Sequence, residues 1–480
     1  MNAERYRRIP FSALIVCLMT VTAPWAQISP PATDATGGYG ATDTVRLNLR
    51  ECLDRAMIAN LDVRESELER ALSEVDQFKA NMARWLPIFE VRAYTSVVKD
   101  AKGEIGQDGT FPIGVETTWH EIGPYFQLSG QAAQPITTFG RISSSRKAAR
   151  YGVRAHTAGV AVQRAKVAGE VYELYYGVLL ARELLGILND VSGKLDGARG
   201  KVRAMIDEGS INVTTLDLAR IDIYGYELER MRLDAEKSIR LALGAMRRAV
   251  AVPYTVPFDI ETGRLRPIPE NIPPLDSLQT LALRRRPEIE QVEAGVQVRD
   301  FLLRAEKSRR YPEIFIGIDW NIEYAPGREL RNSNPWVSDG YNTRTVRAAL
   351  GARWQLGLMD RETDIRRARV NYEEMLRKRT WATQSIALEV LKAYEEAIEA
   401  DQKSALGRRS LRAGRALLLQ TMERYDIGVA STRDLIEAYG AYAKSQADYY
   451  QTLYDHYLAL AELYRTIGRP IWEIGNNGNS

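Results

Sequence analysis

The sequence has 480 residues, with 65 lysines and arginines against 62 aspartates and glutamates. Because the charge is nearly balanced, the composition argues against a nucleic-acid-binding protein, which would show a concentrated basic excess. The three histidines, His120, His156 and His456, lie in unrelated segments with no metal-ligand spacing, and the sequence has no nucleophile motif or glycine-rich phosphate loop. We therefore expect no catalytic residue, no metal and no cofactor.

The N-terminus is typical of an exported protein. Residues 1–26 combine a basic start with a short apolar run and small residues, which predicts a signal peptide cleaved after Ala26. A lipid anchor at Cys17 is disfavoured because the bulky Val16 precedes it. The mature chain then has one cysteine, Cys52, so it cannot form an internal disulfide. We assign residues 27–45 to an N-terminal linker.

The rest of the chain is an internal duplication. Residues 46–252 and 275–468 share similar segments in the same order, such as RWLPIFEVRAYTSV in the first and RYPEIFIGIDWNIEY in the second. Residues 253–274 between them are proline-rich and read as a linker. Residues 469–480 form a C-terminal tail. We predict that each repeat contains a helix, two strands and a long helical hairpin.

The predicted strands are about 87–98 and 124–136 in the first repeat, and about 313–325 and 345–357 in the second. Residues 314–324 alternate between an apolar face and a more polar one, over about eleven residues. This pattern is typical of a membrane β-strand, although a half-buried strand of a soluble sheet alternates in the same way. Little else in the chain could cover the apolar face, which favours a membrane β-strand over a strand of a soluble sheet. Trp320, Tyr324 and Trp354 are predicted to belong to a membrane aromatic belt.

One chain supplies too few strands to close a membrane barrel. Closed barrels need at least about eight strands, and an open sheet edge cannot face lipid because its backbone groups would be unpaired. If the four strands span a bilayer, several copies must therefore close one barrel together. Two copies would give a narrow barrel, and three would give twelve strands with room for a water-filled lumen.

The hairpins are predicted from long proline-free segments that each break at a glycine. The segment from about Ile142 to Glu208 would be about 100 Å long as a helix. Glycine can reverse the chain at little cost, so each break is predicted to be the tip of a hairpin, far from the strands. The small residues beside the glycines leave these tips accessible for docking. The predicted docking residues are Gly209, Ser210, Ile211, Asn212, Gly428, Val429, Ala430 and Ser431.

The last helix carries two further signals. Its apolar residues recur in two neighbouring series at alternating steps of three and four, which predicts helix packing on two sides. Asp434 and Glu437, just after the second glycine break, fall on one face. They could form a cation-attracting constriction if that face lines a pore. They could equally be an acidic first turn that complements the helix dipole.

The whole mature chain resembles the TolC family of outer-membrane efflux channels. The resemblance is carried by the duplication and by the motifs AQPITTFGR at 133–141, ALRRRPEIE at 282–290 and YDIGVASTRDLIEAYGA at 425–441. It implies a mainly α-helical protein in which long coiled-coil hairpins form an α-barrel. It also implies a homotrimer in which four strands per chain complete a twelve-stranded outer-membrane β-barrel.

The resemblance also implies a gate at the periplasmic tips of the helices. Its residues would be Tyr425, Asp434 and Glu437. The sequence departs from the family pattern at Ala430, where an arginine often stands, and at Thr215, where an acid can stand. The bonds that lock the gate could then involve Arg433 or Asp217.

The resulting interpretation is a passive exit duct in the bacterial outer membrane that extends into the periplasm. Its partners would be outer-membrane lipid, a periplasmic adaptor protein and an inner-membrane pump of a tripartite efflux or type I secretion system. The alternative is a periplasmic coiled-coil scaffold without a pore. The sequence is compatible with the export of drugs, metals or proteins.

Overall fold

The computed structural model describes residues 44–105, 122–209, 214–332 and 339–474. The predicted signal peptide, Cys17 and the tip residues Ser210, Ile211 and Asn212 lie outside these ranges. The first half of the described chain contains eight elements. They are β1 (Val45–Leu47), α1 (Leu49–Ala59), α2 (Leu61–Met82), β2 (Ile88–Lys99), β3 (Ala101–Ile105), β4 (Ile122–Thr137), α3 (Arg141–Asp207) and α4 (Thr215–Ala249).

The second half repeats this order of helices, strands and a hairpin. Its elements are β5 (Phe258–Ile260), α5 (Leu275–Arg285), α6 (Pro287–Ser308), β6 (Glu313–Tyr324), β7 (Arg328–Asn332), β8 (Arg344–Arg353), α7 (Leu358–Asp426), α8 (Thr432–Thr466) and a short 3-10 helix (Ile471–Glu473). The fold is thus mainly helical. The strand predicted at about 345–357 is too long at its C-terminal end, because β8 stops at Arg353 and the chain then turns into α7.

The single helix predicted at the start of each repeat is in fact two. In the first repeat, Asn60 has an extended backbone, and its side chain accepts a hydrogen bond from the backbone N–H of Asp62 at 2.9 Å, which caps α2. In the second repeat, Arg286 is extended because it precedes Pro287, and proline disfavours the helical conformation of the residue before it. Both repeats therefore break at a residue suited to begin a new helix.

The proline-rich segment is not a free linker. Its strand β5 pairs in parallel with β1, with Val45 opposite Phe258. The predicted N-terminal linker therefore ends inside a strand. The Tyr457 hydroxyl of α8 also donates to the carbonyl oxygen of Arg266 at 3.0 Å. We call β1, α1, β5, α5 and residues 253–274 the equatorial layer, which packs against the middle of the long helices.

The equatorial layer contributes to the main hydrophobic core. Cys52 and Leu53 of α1 and Ile260 of β5 are fully buried with Val167 of α3 and Leu453 of α8. Burial raises the pKa of the Cys52 thiol to about 12, which keeps it protonated and unreactive. This core fixes the position of the layer on the helices.

The long helices form a single wall within the chain. On the tip side of the equatorial layer the order of contacting helices is α4–α3–α8–α7, and on the sheet side it is α2–α3–α6–α7. Helix α8 thus packs against α3 on one side and α7 on the other, as its two apolar series predicted. Helix α7 lies at one edge of the wall along its whole length, and α2 and α4 share the other edge.

Candidate functional site

The four longest strands form one antiparallel sheet in the order β2–β4–β6–β8. The register places the apolar side chains of all four strands on the same face, since Phe89 pairs with Ala132, Ala132 with Ile318 and Ile318 with Ala348. Most large side chains of this face are exposed, with Val346 at 77% and Leu350 at 71%. Within the described residues, no other element covers this apolar face.

The opposite face of the sheet is polar. Glu90 accepts a hydrogen bond from Gln131 at 2.5 Å, and Arg347 donates to Asp319 at 3.0 Å. Gln131 and Asp319 are themselves paired in the register, so these charged and amide groups cross the sheet in one row. A sheet with one exposed apolar face and one charged face has the two environments of a membrane barrel wall.

Aromatic side chains lie at both ends of the sheet. Trp354 is at the helix end, where its indole N–H donates to the carbonyl oxygen of Arg310 at 3.2 Å. Tyr324 ends β6 at the opposite end. Trp320 lies between these ends, on the apolar face over Gly130, where a Cβ atom would come within 2.5 Å of the indole. We did not predict the stacked pair of Phe139 and Tyr311 at the helix end of the sheet. The presence of aromatic residues just outside the predicted strands could have indicated it.

The second hairpin reverses at a tight turn. Helix α7 ends at Asp426, and Gly428 has a φ of +75°, in the left-handed region that glycine adopts without strain. The N–H groups of Val429 and Ala430 donate to the carbonyl oxygen of Arg424 at 2.8 and 3.0 Å. These two bonds satisfy a carbonyl group that the end of a helix leaves free.

Asp434 closes the start of α8. Its carboxylate accepts hydrogen bonds from the backbone N–H of Ser431 at 2.9 Å and from the Ser431 hydroxyl at 2.8 Å, and its own N–H donates to the Ser431 hydroxyl at 3.2 Å. This is a capping box, which the spacing of Ser431 and Asp434 could have predicted. The bonds from Ser431 lower the pKa of Asp434. Their stabilising effect is complete above the usual aspartate pKa and is lost as the pH falls through the lowered one.

The other predicted gate residues also have partners inside the chain. Glu437 accepts a hydrogen bond from Nε of Arg433 at 2.8 Å, and both side chains are exposed. Tyr425 packs within the hairpin against a cluster that contains Leu418 and Leu435. Its hydroxyl is buried without a hydrogen-bond partner among the described residues. In the single chain the two acids thus lie at the surface, whereas Tyr425 contributes to the hairpin core.

The first hairpin has a similar tip. Gly209 also has a φ of +75°. Helix α4 begins with a capping box in which the N–H and hydroxyl of Thr214 donate to Asp217, each at 3.0 Å. Asp217 also pairs with Arg220 at 3.3 Å, so Asp217 and Arg433, the two suggested lock residues, bind partners within their own helices. An ion pair between Lys201 and Asp426 at 3.7 Å links the ends of α3 and α7.

The second tip exposes apolar side chains. Ile427 is 74% exposed and Val429 is 63% exposed, on either side of Gly428. We predicted Val429 as a docking residue but did not predict Ile427. The apolar character of Ile427 and its position directly before Gly428 could have indicated the same role. Apolar groups that remain exposed at the end of a rigid hairpin are suited to binding another protein.

Both edges of the helical wall carry exposed apolar residues at helical spacing. We call these the edge stripes. They comprise Trp381, Leu388, Leu406 and Leu417 on α7, Leu216, Ile223, Tyr226, Leu233 and Leu241 on α4, and Leu61, Leu68, Leu72 and Val75 on α2. The outer strands β2 and β8 of the sheet likewise have one unpaired edge each within the described chain. On both sides, the helical wall therefore ends in a surface that can pack against further helices, and the sheet ends in a strand that can pair with a further strand.

No helix among the described residues is both long and apolar enough to cross a membrane. No group of histidine, cysteine, aspartate and glutamate side chains in the described part of the chain could hold a metal ion.

The structure has the fold of outer-membrane channel subunits. It is similar to the CmeC outer membrane channel of Campylobacter jejuni, with a TM-score of 0.72, 15% identity and coverage of 88% of this chain and 85% of that one. It is also similar to the open state of the MtrE outer membrane channel of Neisseria gonorrhoeae, with a TM-score of 0.67, 17% identity and coverage of 88% and 89%. It is similar as well to the outer membrane protein VceC of Vibrio cholerae, with a TM-score of 0.67, 13% identity and coverage of 88% of this chain and 96% of that one.

The family comparison agrees with this fold. Residues 278–469 match the model of the outer membrane efflux protein family. No curated protein matches the sequence. The second repeat thus matches this family, and the chain shares the fold of outer-membrane channel subunits, in agreement with the resemblance seen in its motifs.

Proposed function

We propose that three copies of the chain form a passive exit duct for solutes or proteins. Four strands from each copy would close a twelve-stranded barrel in the outer membrane, and four helices from each would form a tunnel across the periplasm. The observation that carries this proposal is the exposed apolar face of the β2–β4–β6–β8 sheet, because a sheet of four strands cannot bury that face or pair its own edges.

The edge stripes support the same assembly. Helix α7 of one copy would pack against α4 of the next on the tip side and against α2 on the sheet side, while β8 would pair with β2. All of these contacts join the same two edges of the chain, so a single rotation between copies satisfies them together. Three copies are favoured over two because twelve strands leave a lumen, whereas eight are filled by side chains.

The tips would connect the duct to its pump. In this proposal a periplasmic adaptor engages the residues around Gly209 and Gly428, and the inner-membrane pump delivers the solute. Opening requires contacts at the adaptor that are stronger in the open state than in the closed one. The exposed side chains of Ile427 and Val429 support docking at this end.

The proposal is tested with the purified chain in detergent and in planar bilayers. We expect a particle of three chains, stable conductance steps, and retention in the membrane after washing with salt or carbonate. A coiled-coil scaffold would instead be released by the wash and would give no conductance. A folded monomer that is soluble without detergent would also contradict the proposal.

We also propose that Asp434 and Glu437 form a ring of carboxylates that attracts cations at the tip. Replacing both by alanine should weaken block by a trivalent cation at least about tenfold, because two negative charges per chain are lost at the constriction. Block is measured as the concentration that halves the bilayer conductance.

A control separates charge from helix capping. Ser431→Ala removes the capping hydroxyl, at a cost of about 1 kcal/mol, but keeps both carboxylates. It should leave cation block within about twofold of the original. Unchanged block in the double alanine variant would remove Asp434 and Glu437 from the pore.

A further inference from the structure

The two repeats of one chain meet at a contact between two helices on the sheet side of the equatorial layer. Helix α3 of the first repeat packs there against α6 of the second. Nε of Arg154 on α3 donates a hydrogen bond to Glu290 on α6 at 2.9 Å, and the ring of Tyr151 stacks on that of Phe301 with centroids 5.7 Å apart. We call this contact the repeat joint. Its ion pair and its ring pair fix the register of α6 along α3.

The internal duplication gives each residue that α6 contributes to the repeat joint a counterpart on α2. Both helices are 22 residues long and occupy the same place in their repeats. Arg64 and Glu290 are the fourth residues of the two helices, and Val75 and Phe301 are the fifteenth. Arg64 is therefore the counterpart of Glu290, and Val75 is that of Phe301.

The duplication likewise relates α3 to α7. The motifs FGRISSSRKAAR and MDRETDIRRARV align these two helices at their sheet ends. Continued along both helices, this alignment makes Glu374 the counterpart of Arg154, and Asn371 that of Tyr151. Both pairs lie within four residues of the end of the motifs, so the alignment is extended by about one helical turn.

These counterparts lie on the two free edges of the helical wall. Leu68 of α2 is 66% exposed, whereas its counterpart on α6, Ala294, is 3% exposed because it is buried in the repeat joint. Glu374 precedes Trp381 and Leu388 of the α7 edge stripe by one and two heptads, so it lies on the same exposed face. The surfaces that are covered between the repeats are thus open at both edges of the chain.

The charges of the repeat joint are reversed at its counterparts. Within the chain, the arginine is Arg154 on α3 and the carboxylate is Glu290 on α6. On the free edges the carboxylate is Glu374 on α7, and the arginine is Arg64 on α2. A contact between the edges in the register of the repeat joint would therefore also join opposite charges.

Neither of the two edge residues has a strong ionic partner in the single chain. Nε of Arg64 donates to the carbonyl oxygen of Ile58 at 3.3 Å, and its guanidinium forms no ion pair with a described residue. Glu374 pairs with Lys378 of its own helix at 2.8 Å, but both side chains are more than half exposed, and such surface pairs contribute little. Both side chains can therefore turn towards a partner.

The position of the edges favours a second copy of the chain as that partner. Arg64 is eighteen residues before Met82, the sheet end of α2, which corresponds to about 27 Å along the helix. Headgroups of the membrane that holds the sheet are therefore out of reach. The α7 edge carries exposed apolar residues and a carboxylate, and the α2 edge carries exposed apolar residues and a guanidinium. Each edge is thus complementary to the other.

We propose that α7 of one copy packs against α2 of the next in the register of the repeat joint, with an ion pair between Glu374 and Arg64 of the next copy. The fork of the guanidinium group suits a bidentate pair with the carboxylate. This inference rests on the proposed function for the assembly of copies, and it adds the register and the residues that select the correct edge.

The reversed charges would prevent the repeats from pairing wrongly. If α7 of one copy met α6 of another in this register, Glu374 would face Glu290. If α3 of one copy met α2 of another, Arg154 would face Arg64. Both wrong contacts place like charges together, so the charge order distinguishes the joint between copies from the joint within a chain.

The test measures how fast full-length trimers exchange subunits in detergent and mild denaturant. Trimers labelled at the N-terminus with a donor or an acceptor dye are mixed, and energy transfer reports the exchange. R64E or E374R alone should raise the exchange rate at least about tenfold, because like charges then meet at every interface of the ring. R64E/E374R restores opposite charges and should return the rate to within about threefold of the unmodified chain.

The matched control is E373R, which makes the same change in charge one residue away on α7. Two heptads beyond Glu373, Ala387 accepts a hydrogen bond from Gln279 of α5, so this helix position faces the equatorial layer instead of the edge. E373R should alter the exchange rate less than about threefold. Equal effects of E373R and E374R, or a double variant R64E/E374R that exchanges as fast as the single variants, would overturn the proposal.

Mixing the two single variants separates this inference from the proposed number of copies. An R64E chain and an E374R chain attract each other at both of their shared interfaces, but a ring of three always keeps one interface between identical chains. Mixing should therefore slow exchange only in part. Complete rescue would support the ion pair and contradict three copies, since only an even number of chains can alternate. No rescue at all would overturn the ion pair.

Cross-linking tests the register even if a charge variant fails to assemble. Cysteines that replace Val75 and Asn371, the counterparts of the two stacked rings, should be joined by a short bismaleimide into covalent dimers and trimers. Cys52 is fully buried and should not react. Cysteines that replace Val75 and Lys378 should not be joined, because Lys378 is about 10 Å further along α7. Equal cross-linking of both pairs, or none of the first, would overturn the register.

Discussion

Ala348→Arg is expected to prevent the protein from assembling in a membrane, whereas Ala349→Arg is expected to be tolerated. The two residues are neighbours in the middle of β8. Ala348 pairs with Ile318 on the apolar face, and Ala349 pairs with Gly317 on the polar face. The two variants therefore differ only in the face to which the same arginine is added.

The expected difference follows from the cost of a charge in lipid. An arginine on the lipid face of a barrel strand costs about 2–4 kcal/mol near the bilayer midplane, and this cost falls towards zero near the interfaces. A trimer would contain three such arginines, which would cost roughly 6–12 kcal/mol in all. On the polar face the same side chain stays hydrated and joins groups such as Arg347 and Asp319 that are already charged.

The measurement is folding of the purified chain into lipid vesicles, with the folded trimer separated from the unfolded chain by gel mobility. Ala348→Arg should shift the denaturant midpoint strongly or abolish folding, and Ala349→Arg should stay close to the unmodified chain. Equal behaviour of the two variants would show that the apolar face does not meet lipid.

The strands and the hairpins could be predicted because each has a strong local signal. Residues 314–324 alternate with a period of two, and the register of β6 with β4 and β8 extends that alternation across the sheet. Gly209 and Gly428 each follow a proline-free segment, and both adopt the positive φ that only glycine favours. In these places a single residue or a simple period determines the local structure.

The equatorial layer could not be predicted, because its contacts join residues that are distant in the sequence. Prolines made residues 253–274 look like a linker, yet β5 pairs with β1 across about two hundred residues. The break at Asn60 was also missed. Its side chain donates to the carbonyl oxygen of Ala249 at 3.1 Å, a contact that no local pattern reveals.

The site was predicted less completely than the fold. Asp434 was found from its position after the glycine break, but the choice between a pore residue and a helix cap needed geometry. The structure shows the capping bonds to Ser431, and the pore role stays a prediction because it depends on other copies of the chain. Trp320 was assigned to the aromatic belt from its place in the strand, whereas its packing over Gly130 depends on the register.

Gly414→Leu is expected to separate α7 from α8 and to destabilise the tip side of the tunnel. A Cβ atom at Gly414 would meet Ser445, and it would lie 3.4 Å from the Cα atom of Tyr442, so the backbone of α8 limits the available space. Forcing a larger side chain into such a contact costs about 1–3 kcal/mol, and leucine reaches further than the first added carbon. Because α7 and α8 form the second hairpin, the damage should extend to the predicted gate at its tip.

The matched control is Gly200→Ala on α3, where a Cβ atom would meet nothing within 4 Å. This variant should stabilise the protein by up to about 1 kcal/mol, because alanine favours the helix over glycine. Thermal unfolding followed by circular dichroism measures both effects, and hydrogen exchange of residues 432–445 locates the destabilisation caused by Gly414→Leu.

If Gly414→Leu leaves the melting temperature and the exchange of α8 unchanged, then the close glycine contact does not hold the hairpin together. If instead exchange rises only in α8 and α7 while the sheet stays protected, the second hairpin is a unit that can open separately from the barrel, as a gate at its tip requires.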